Sequence, residues 1–392
     1  MAPHVPEELS DTLLEDQPHA RAVLGPVFTG AAAPSHAYLL HGPPGTGKRE
    51  LARVLAASLL GAGARNPRTV AERVARGAHP DLTWVAPSGA AEMLVSDIEE
   101  PVVVAAMRTP FESARRVFVI ESVERMNDQS ANRMLKTLEE PPAFVHLLLI
   151  SDHLPDVLPT VASRCQHVRF DPLPAARIVE RLTGAEPGAA PGGEHGTGHP
   201  GEEQRAQACA RLALGDARLA AWLAGEDGER LREQAEAFVR SAIAAGTGSR
   251  PWEPLLERAR EAAAGAGAQA GAAVELELEL LPTRERKRHE REALDSRRRS
   301  ERRASRQTLE LSLRLAELWL RDVMCVCEGA PELIYAVDRR EQVLADADGR
   351  DCARVREALE LLAGARLTLA VNVSEELALE ALAYRLEGLL AA

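Results

Sequence analysis

The stretch Gly42-Pro43-Pro44-Gly45-Thr46-Gly47-Lys48 constrains this chain more than any other, because it matches G-x-x-x-x-G-K and its surroundings are those the motif needs. The apolar run 37–41 before it reads as a strand. The residues after it place Leu51, Val54, Leu55 and Leu59 on one helical face, which Gly61 closes. In such a strand–loop–helix unit the glycines let backbone N–H groups turn inward around phosphate oxygens. The helix N-terminus adds its positive end, and Lys48 adds a charge that reaches the outer phosphates. Gly42, Gly45, Thr46, Gly47 and Lys48 are therefore the candidate phosphate-binding residues.

Two positions break the pattern of a hydrolase. The residue after the lysine ought to be Ser or Thr to ligate Mg²⁺, and here it is Arg49, which donates hydrogen bonds and cannot bind a cation. The apolar run Arg116–Ile120 ought to end in Asp-Glu, one acid to organise the metal and one to polarise the attacking water. It ends in Glu121-Ser122 instead. Alone, Glu121 would be only the end of a buried strand. With the loop upstream, both departures point to an ancestral ATPase fold with little or no hydrolysis. The loop keeps its phosphate-holding parts, so ATP binding stays open, but no cofactor is required.

The first 172 residues alternate strand candidates (37–41, 82–86, 116–121, 145–151 and 167–170) with amphipathic helices, the signature of a parallel α/β sheet. Beyond Pro172 the strands stop. Residues 173–225 read as a small helical domain interrupted by a floppy insertion at 183–204, where seven glycines and three prolines fall in 22 residues. His195 and His199 lie in it without a third metal ligand nearby. Residues 226–392 read as wholly helical. The last helix carries Leu379, Leu382, Leu386 and Leu389 on one stripe, with Ser374 placed as its cap and Glu375 and Glu376 in its first turn.

Net charge is −12, but the segment 284–306 holds 11 basic against 5 acidic residues, a local +6 that leaves −18 elsewhere. A chain this acidic is no general nucleic-acid coat; a DNA contact has to come from a local patch or from assembly. Either a solvated helix of mixed ion pairs or a DNA-backbone patch accounts for the run. Aromatic residues make up only 3%, which disfavours a base-stacking platform. No run of about 18 apolar residues is present, so no membrane span is expected. The N-terminus lacks the layout of a signal peptide, and the five cysteines form no CxxC pair, which fits a reducing cytoplasm.

Four further segments occur in a telling order: Ser35-His36-Ala37-Tyr38-Leu39-Leu40, Gly77-Ala78-His79-Pro80-Asp81-Leu82, the run from Asn127 to Pro142 around Asn132-Arg133-Met134-Leu135-Lys136-Thr137-Leu138-Glu139-Glu140, and Leu158-Pro159-Thr160-Val161-Ala162-Ser163-Arg164-Cys165-Gln166. Their order and spacing resemble the AAA+ clamp-loader subunits of bacterial DNA polymerase III, most of all those of the delta-prime kind. Arg321-Asp322 and the segments 369–373 and 377–380 resemble the C-terminal domain of the same family. The resemblance implies a RecA-like AAA+ P-loop domain with a five-stranded parallel sheet, then a helical lid, then an all-α collar. It further implies a non-hydrolysing component that supports ATP-driven loading of the sliding clamp onto primed DNA, with gamma/tau and delta subunits as partners, in a cytoplasmic, nucleoid-associated replisome. By the match to Ser163-Arg164-Cys165, Arg164 is the implied arginine finger, acting on ATP held by a neighbouring subunit; taken alone it would be a surface ion pair. Arg218 falls where active relatives place a sensor arginine and is expected to be structural here. The zinc module of many such subunits has no ligands, since 61–77 contains no cysteine, and no zinc is expected. An active gamma/tau-type ATPase and a stand-alone DNA-binding protein are the alternatives.

Overall fold

The computed structural model describes residues 13–87, 92–184, 200–279, 283–369 and 374–391. They form two compact units, Met1–Leu173 and Pro174–Ala392. The helices read from the sequence as lid and collar fall together in the second.

The first unit is built on a five-stranded sheet of β1 (Ala37–His41), β2 (Leu82–Val85), β3 (Arg116–Ile120), β4 (Val145–Ser151) and β5 (Gln166–Arg169), in the order β2-β3-β4-β1-β5 and parallel throughout. The expected strands are those observed, to within a residue at their ends. The central strands β1 and β4 are buried along their whole length, and mostly apolar, because both faces are covered. Side-chain alternation divides them: Tyr38, Leu40, Val117, Val119, Leu148 and Ile150 enter one core, while Ala37, Leu39, Phe118, Ile120, Leu147 and Leu149 enter the other. Helices α1 (Pro18–Phe28) and α2 (Lys48–Gly61) cover the first face. The short α4 (Val95–Ile98), with α5 (Asp128–Glu139), covers the second; α3 (Pro67–Ala75) adds Val74 to the first.

Several motif residues have purely architectural work. Asp81 is buried and accepts backbone N–H bonds from Phe111 (2.5 Å), Glu112 (2.9 Å) and Ser113 (2.8 Å), which fixes the turn before β3 and leaves Phe111 in solvent. Asn127 caps α5 by accepting from Ser130 N at 3.0 Å. Burial would raise the Asp81 carboxyl, but the three N–H donors outweigh it and hold the group below its ordinary value. A carboxyl depressed in this way stabilises the fold above its unfolded pKa, and that contribution is lost as pH falls through the lower folded value. Asp81→Asn is therefore expected to lower the melting temperature at neutral pH and to flatten the acid limb of stability against pH. Unchanged melting curves from neutral pH down to the acid transition would contradict this role.

The second unit is helical: α7 (Ala175–Thr183), α8 (Pro200–Leu212), α9 (Ala217–Ala224), α10 (Glu226–Ile243), α11 (Glu253–Glu279), α12 (Thr283–Cys327), α13 (Arg340–Ala347), α14 (Cys352–Leu369) and α15 (Glu375–Leu390). Its main core gathers Phe238, Trp252, Leu313, Trp319, Leu362, Leu379, Leu382 and Leu386. Three expectations are corrected here. Most of 183–204, with His195 and His199, lies outside the described residues, yet its end is helical from Pro200, where proline opens the helix and Glu202 and Glu203 sit in the first turn. Ser374 holds the N-cap position of α15 but makes no side-chain capping bond; the acids Glu375 and Glu376 serve that end. The buried stripe of α15 ends on Leu390, with Leu389 only half-buried. The charged run 284–306 is part of α12, a 45-residue helix. Arg321-Asp322 is structural: buried Asp322 accepts from the backbone N–H groups of Tyr335 and Ala336, and the Arg321 guanidinium stacks 3.7 Å from the Tyr335 ring.

Candidate functional site

The C-terminal edge of the sheet gathers the phosphate loop after β1, the Glu121-Ser122 pair after β3 and the residue that follows β4, Asp152. These strands are neighbours, so three segments distant in sequence meet in the crevice where parallel α/β sheets place ligands.

The loop's glycines are required by the backbone. Gly42 has φ +144°, and a Cβ there would come within 2.1 Å of the Phe170 carbonyl oxygen. Gly45 (φ +69°) and Gly47 (φ +93°) are left-handed. Thr46 is buried and donates from its hydroxyl to Pro43 O at 2.9 Å. Gln17, also buried, ties the loop to the end of β5: it donates to Asp171 O at 3.0 Å, accepts from Asp171 N at 2.8 Å and reaches Thr46 O at 3.5 Å. No sequence pattern singles out Gln17.

Both cations of the loop are engaged within the chain. Lys48, nearly inaccessible, donates to the carbonyls of Gly42 and Pro43 and pairs with Asp152 Oδ1 at 2.9 Å. Burial pushes its pKa down from the usual lysine value, and Asp152 opposes that shift. Arg49 reaches across to Glu121 Oε2 at 2.6 Å, and Trp84 Nε1 donates to Glu121 Oε1 at 2.8 Å, so both oxygens of that carboxylate are taken. Glu124 also lies near Lys48, with its Oε2 buried and unpartnered. Two cations thus face three carboxylates. His41 is held neutral at physiological pH, its pKa lowered to about 4, first by burial and then by His167, His19, Arg169 and Lys48, so it adds no positive charge.

The Mg²⁺–nucleotide complex is the group such a loop implies. The backbone cradle fits phosphate, but the metal position does not fit a cation: a guanidinium occupies it and claims the acid that would serve the metal. Ser122 is placed at the same edge in a left-handed conformation, φ 54°.

Arg164 sits apart. It follows α6 (Pro159–Ala162) and precedes β5. In the parallel register Gln166 lies beside Tyr38, and Arg169 beside His41. Arg164 is therefore at the N-terminal edge of the sheet, and the phosphate loop is at the C-terminal edge, about 10 Å of strand away. The side chain is 34% exposed, and its guanidinium is oriented by Glu139, to which Nε donates at 2.7 Å, and by Thr160 O, to which Nη1 donates at 2.8 Å. Asp152, Glu139 and Gln17 were not found by sequence reasoning. For Asp152 a signal exists: it is a carboxylate at the end of a central strand on the loop's own edge. Arg218 lies exposed in the first turn of α9. Among the described residues no cluster of three or more metal-ligating side chains occurs, and no helix is long and apolar enough to cross a membrane.

The family model described as "DNA polymerase III, delta subunit" matches residues 29–174. A DNA polymerase III subunit delta' of Pseudomonas aeruginosa is 40% identical over 164 residues, 40% of this chain and 50% of the relative. One from Bacillus subtilis is 35% identical over 154 residues, 38% of this chain and 46% of the relative. A Mycobacterium tuberculosis DNA polymerase III subunit gamma/tau is 34% identical over 177 residues, 42% of this chain and 30% of the relative. The chain thus spans about half the length of the delta' relatives it matches.

Proposed function

We propose that the chain is a non-hydrolysing delta-prime-type component of the DNA polymerase III clamp loader, partnered by gamma/tau and delta subunits; the match of residues 29–174 to the family model and to the delta' relatives, and a motif order that resembles delta-prime subunits, support this reading. In this reading it supports loading of the sliding clamp onto primed DNA in the replisome and works in the cytoplasm. The observation that carries it is the Arg49–Glu121 pair at 2.6 Å. A hydrolase needs that carboxylate for metal and water, and here a guanidinium holds it. Lys48 held by Asp152, and the excess of carboxylates around the loop, support the same reading, since both oppose the charge of a nucleotide's phosphates.

Arg164 is proposed as the finger given to a neighbour. Two features favour action in trans: its place at the edge of the sheet opposite the chain's own loop, and the poor fit of that loop to a metal. The collar assignment for residues after 225 rests on the resemblance alone.

The pure chain is expected to show no multiple-turnover ATP hydrolysis. Arg49→Thr frees Glu121 and supplies a hydroxyl, yet should still give none, because Ser122 leaves the second carboxylate absent. Steady-state phosphate release by the wild-type chain would instead favour the gamma/tau-type motor.

A further inference from the structure

The basic run within α12 is not neutralised by the helix packed along it. Residues 297–306 hold six arginines, Arg297, Arg298, Arg299, Arg302, Arg303 and Arg306, against one acid, Glu301. Helix α11 lies alongside, with Gly267 opposite Glu301: a Cβ there would come within 2.2 Å of Glu301 Oε1. Around that point α11 carries no charged residue from 262 to 274, so it offers no carboxylate opposite Arg298 and Arg302, and Glu261, at the end of that stretch, is paired with Arg258. Glu301 itself is taken by Arg297 at 2.9 Å. Arg298 and Arg302 are exposed, Arg306 is half-buried, and none of the three makes a hydrogen bond or ion pair among the described residues. The Nε of Arg299 is buried without a partner.

We infer that the ridge of Arg298, Arg302 and Arg306 is a docking surface for the phosphate backbone of duplex DNA. The spacing i, i+4, i+8 sets three guanidiniums in a row at intervals of about 6 Å along a rigid helix. A planar guanidinium fork matches phosphate oxygens, whereas a solvated helix would pair its arginines with acids at i±4; Arg298 and Arg302 have none there, and Glu310, at i+4 of Arg306, pairs with Arg366 instead. The duplex is favoured over single strands because 284–306 contains no Phe, Trp or Tyr on which an unpaired base would stack. The same lack makes the contact independent of sequence. With the rest of the chain at net −18, this ridge is where a polyanion has reason to approach. The inference does not depend on the loader assignment.

The test uses the full chain and a short fluorescein-labelled duplex of arbitrary sequence, followed by anisotropy over a potassium chloride series. The wild-type chain should bind with a steep salt dependence. The triple change Arg298→Gln, Arg302→Gln, Arg306→Gln should weaken binding on the order of 100-fold at moderate salt and reduce the slope of log K against log salt by roughly three, about 0.9 per lost phosphate contact. Glutamine preserves helix propensity, and Arg302→Gln alone, with a slope reduced by about one, serves if the triple variant melts early. A control removing the same charge elsewhere (Arg68→Gln, Arg250→Gln, Arg356→Gln) should bind like wild type. Equal loss in that control, an unchanged slope in the ridge variants, or binding of poly-glutamate as tight as that of DNA, which would mark a site for cationic–acidic protein contact, would each overturn the inference.

Discussion

A loader reconstituted with Arg164→Ala should assemble normally and load clamps poorly. Arginine fingers are worth roughly 10³–10⁵ in rate for P-loop enzymes, or about 4–7 kcal/mol of barrier. The developing charge on equatorial phosphate oxygens is what the guanidinium neutralises. In the proposed loader only one of several ATP sites receives this finger, so total hydrolysis should fall less than clamp loading does. Arg164→Lys should rescue little, because an ammonium lacks the planar fork. The geometry adds a second expectation. Glu139 and Thr160 aim the guanidinium, so Glu139→Gln should keep the charge yet loosen its direction, giving a partial loss. The measurement is clamp- and DNA-stimulated hydrolysis and loading by complexes of confirmed stoichiometry. Normal loading by the Arg164→Ala complex would leave the residue as a surface ion-pair partner of Glu139.

Arg232→Ala is expected to destabilise the second unit by about 3–5 kcal/mol, the usual cost of stranding buried charges. Arg232 is 3% exposed; it grips Asp338 with two parallel bonds of 2.7 and 2.8 Å and donates to Glu236 at 2.7 Å, while Arg339 holds the other Glu236 oxygen. Without the guanidinium, Asp338 loses its fork, and Glu236, already pushed up by burial, retains only Arg339. For a unit of this size each kcal/mol is worth about 2–4 °C, so the melting temperature should fall by roughly 6–20 °C. Arg232→Met combined with Glu236→Leu and Asp338→Leu should recover much of the loss, since an apolar set of similar volume often replaces a buried ion network without penalty. A drop of under a degree in Arg232→Ala would mean that water screens the network.

The sheet was legible because buried parallel strands leave unbroken apolar runs: Val117–Ile120 and Leu147–Ile150 have few other readings. The phosphate loop was legible because its glycines are fixed by local backbone geometry. The pairing of Arg49 with Glu121 was not, since it joins residues 72 apart through the order of β1, β4 and β3, which only the assembled sheet supplies. The same holds for Lys48 with Asp152. The Arg232 network escaped for a different reason: its members look like ordinary surface charges until the packing of α10 against the turn near Asp338 buries them. Ser374 misled because a capping residue type at a helix start is a preference, and first-turn acids meet the same electrostatic need.

The Arg49–Glu121 pair also bears on reversibility under natural selection. The Glu121 side chain is only 13% exposed. Any substitution that clears Arg49 leaves that carboxylate with Trp84 alone, at a cost of about 1–3 kcal/mol. Clearing Asp152 does the same to Lys48. A lineage regaining hydrolysis would need a hydroxyl at 49 and a second acid at 122 before either loss is repaid by function. On the proposed non-hydrolysing reading, every intermediate is less stable and still inactive. On that reading, decay from a working motor into this state can proceed one residue at a time while the return path climbs, which makes the loop an end point for descendants of this sequence.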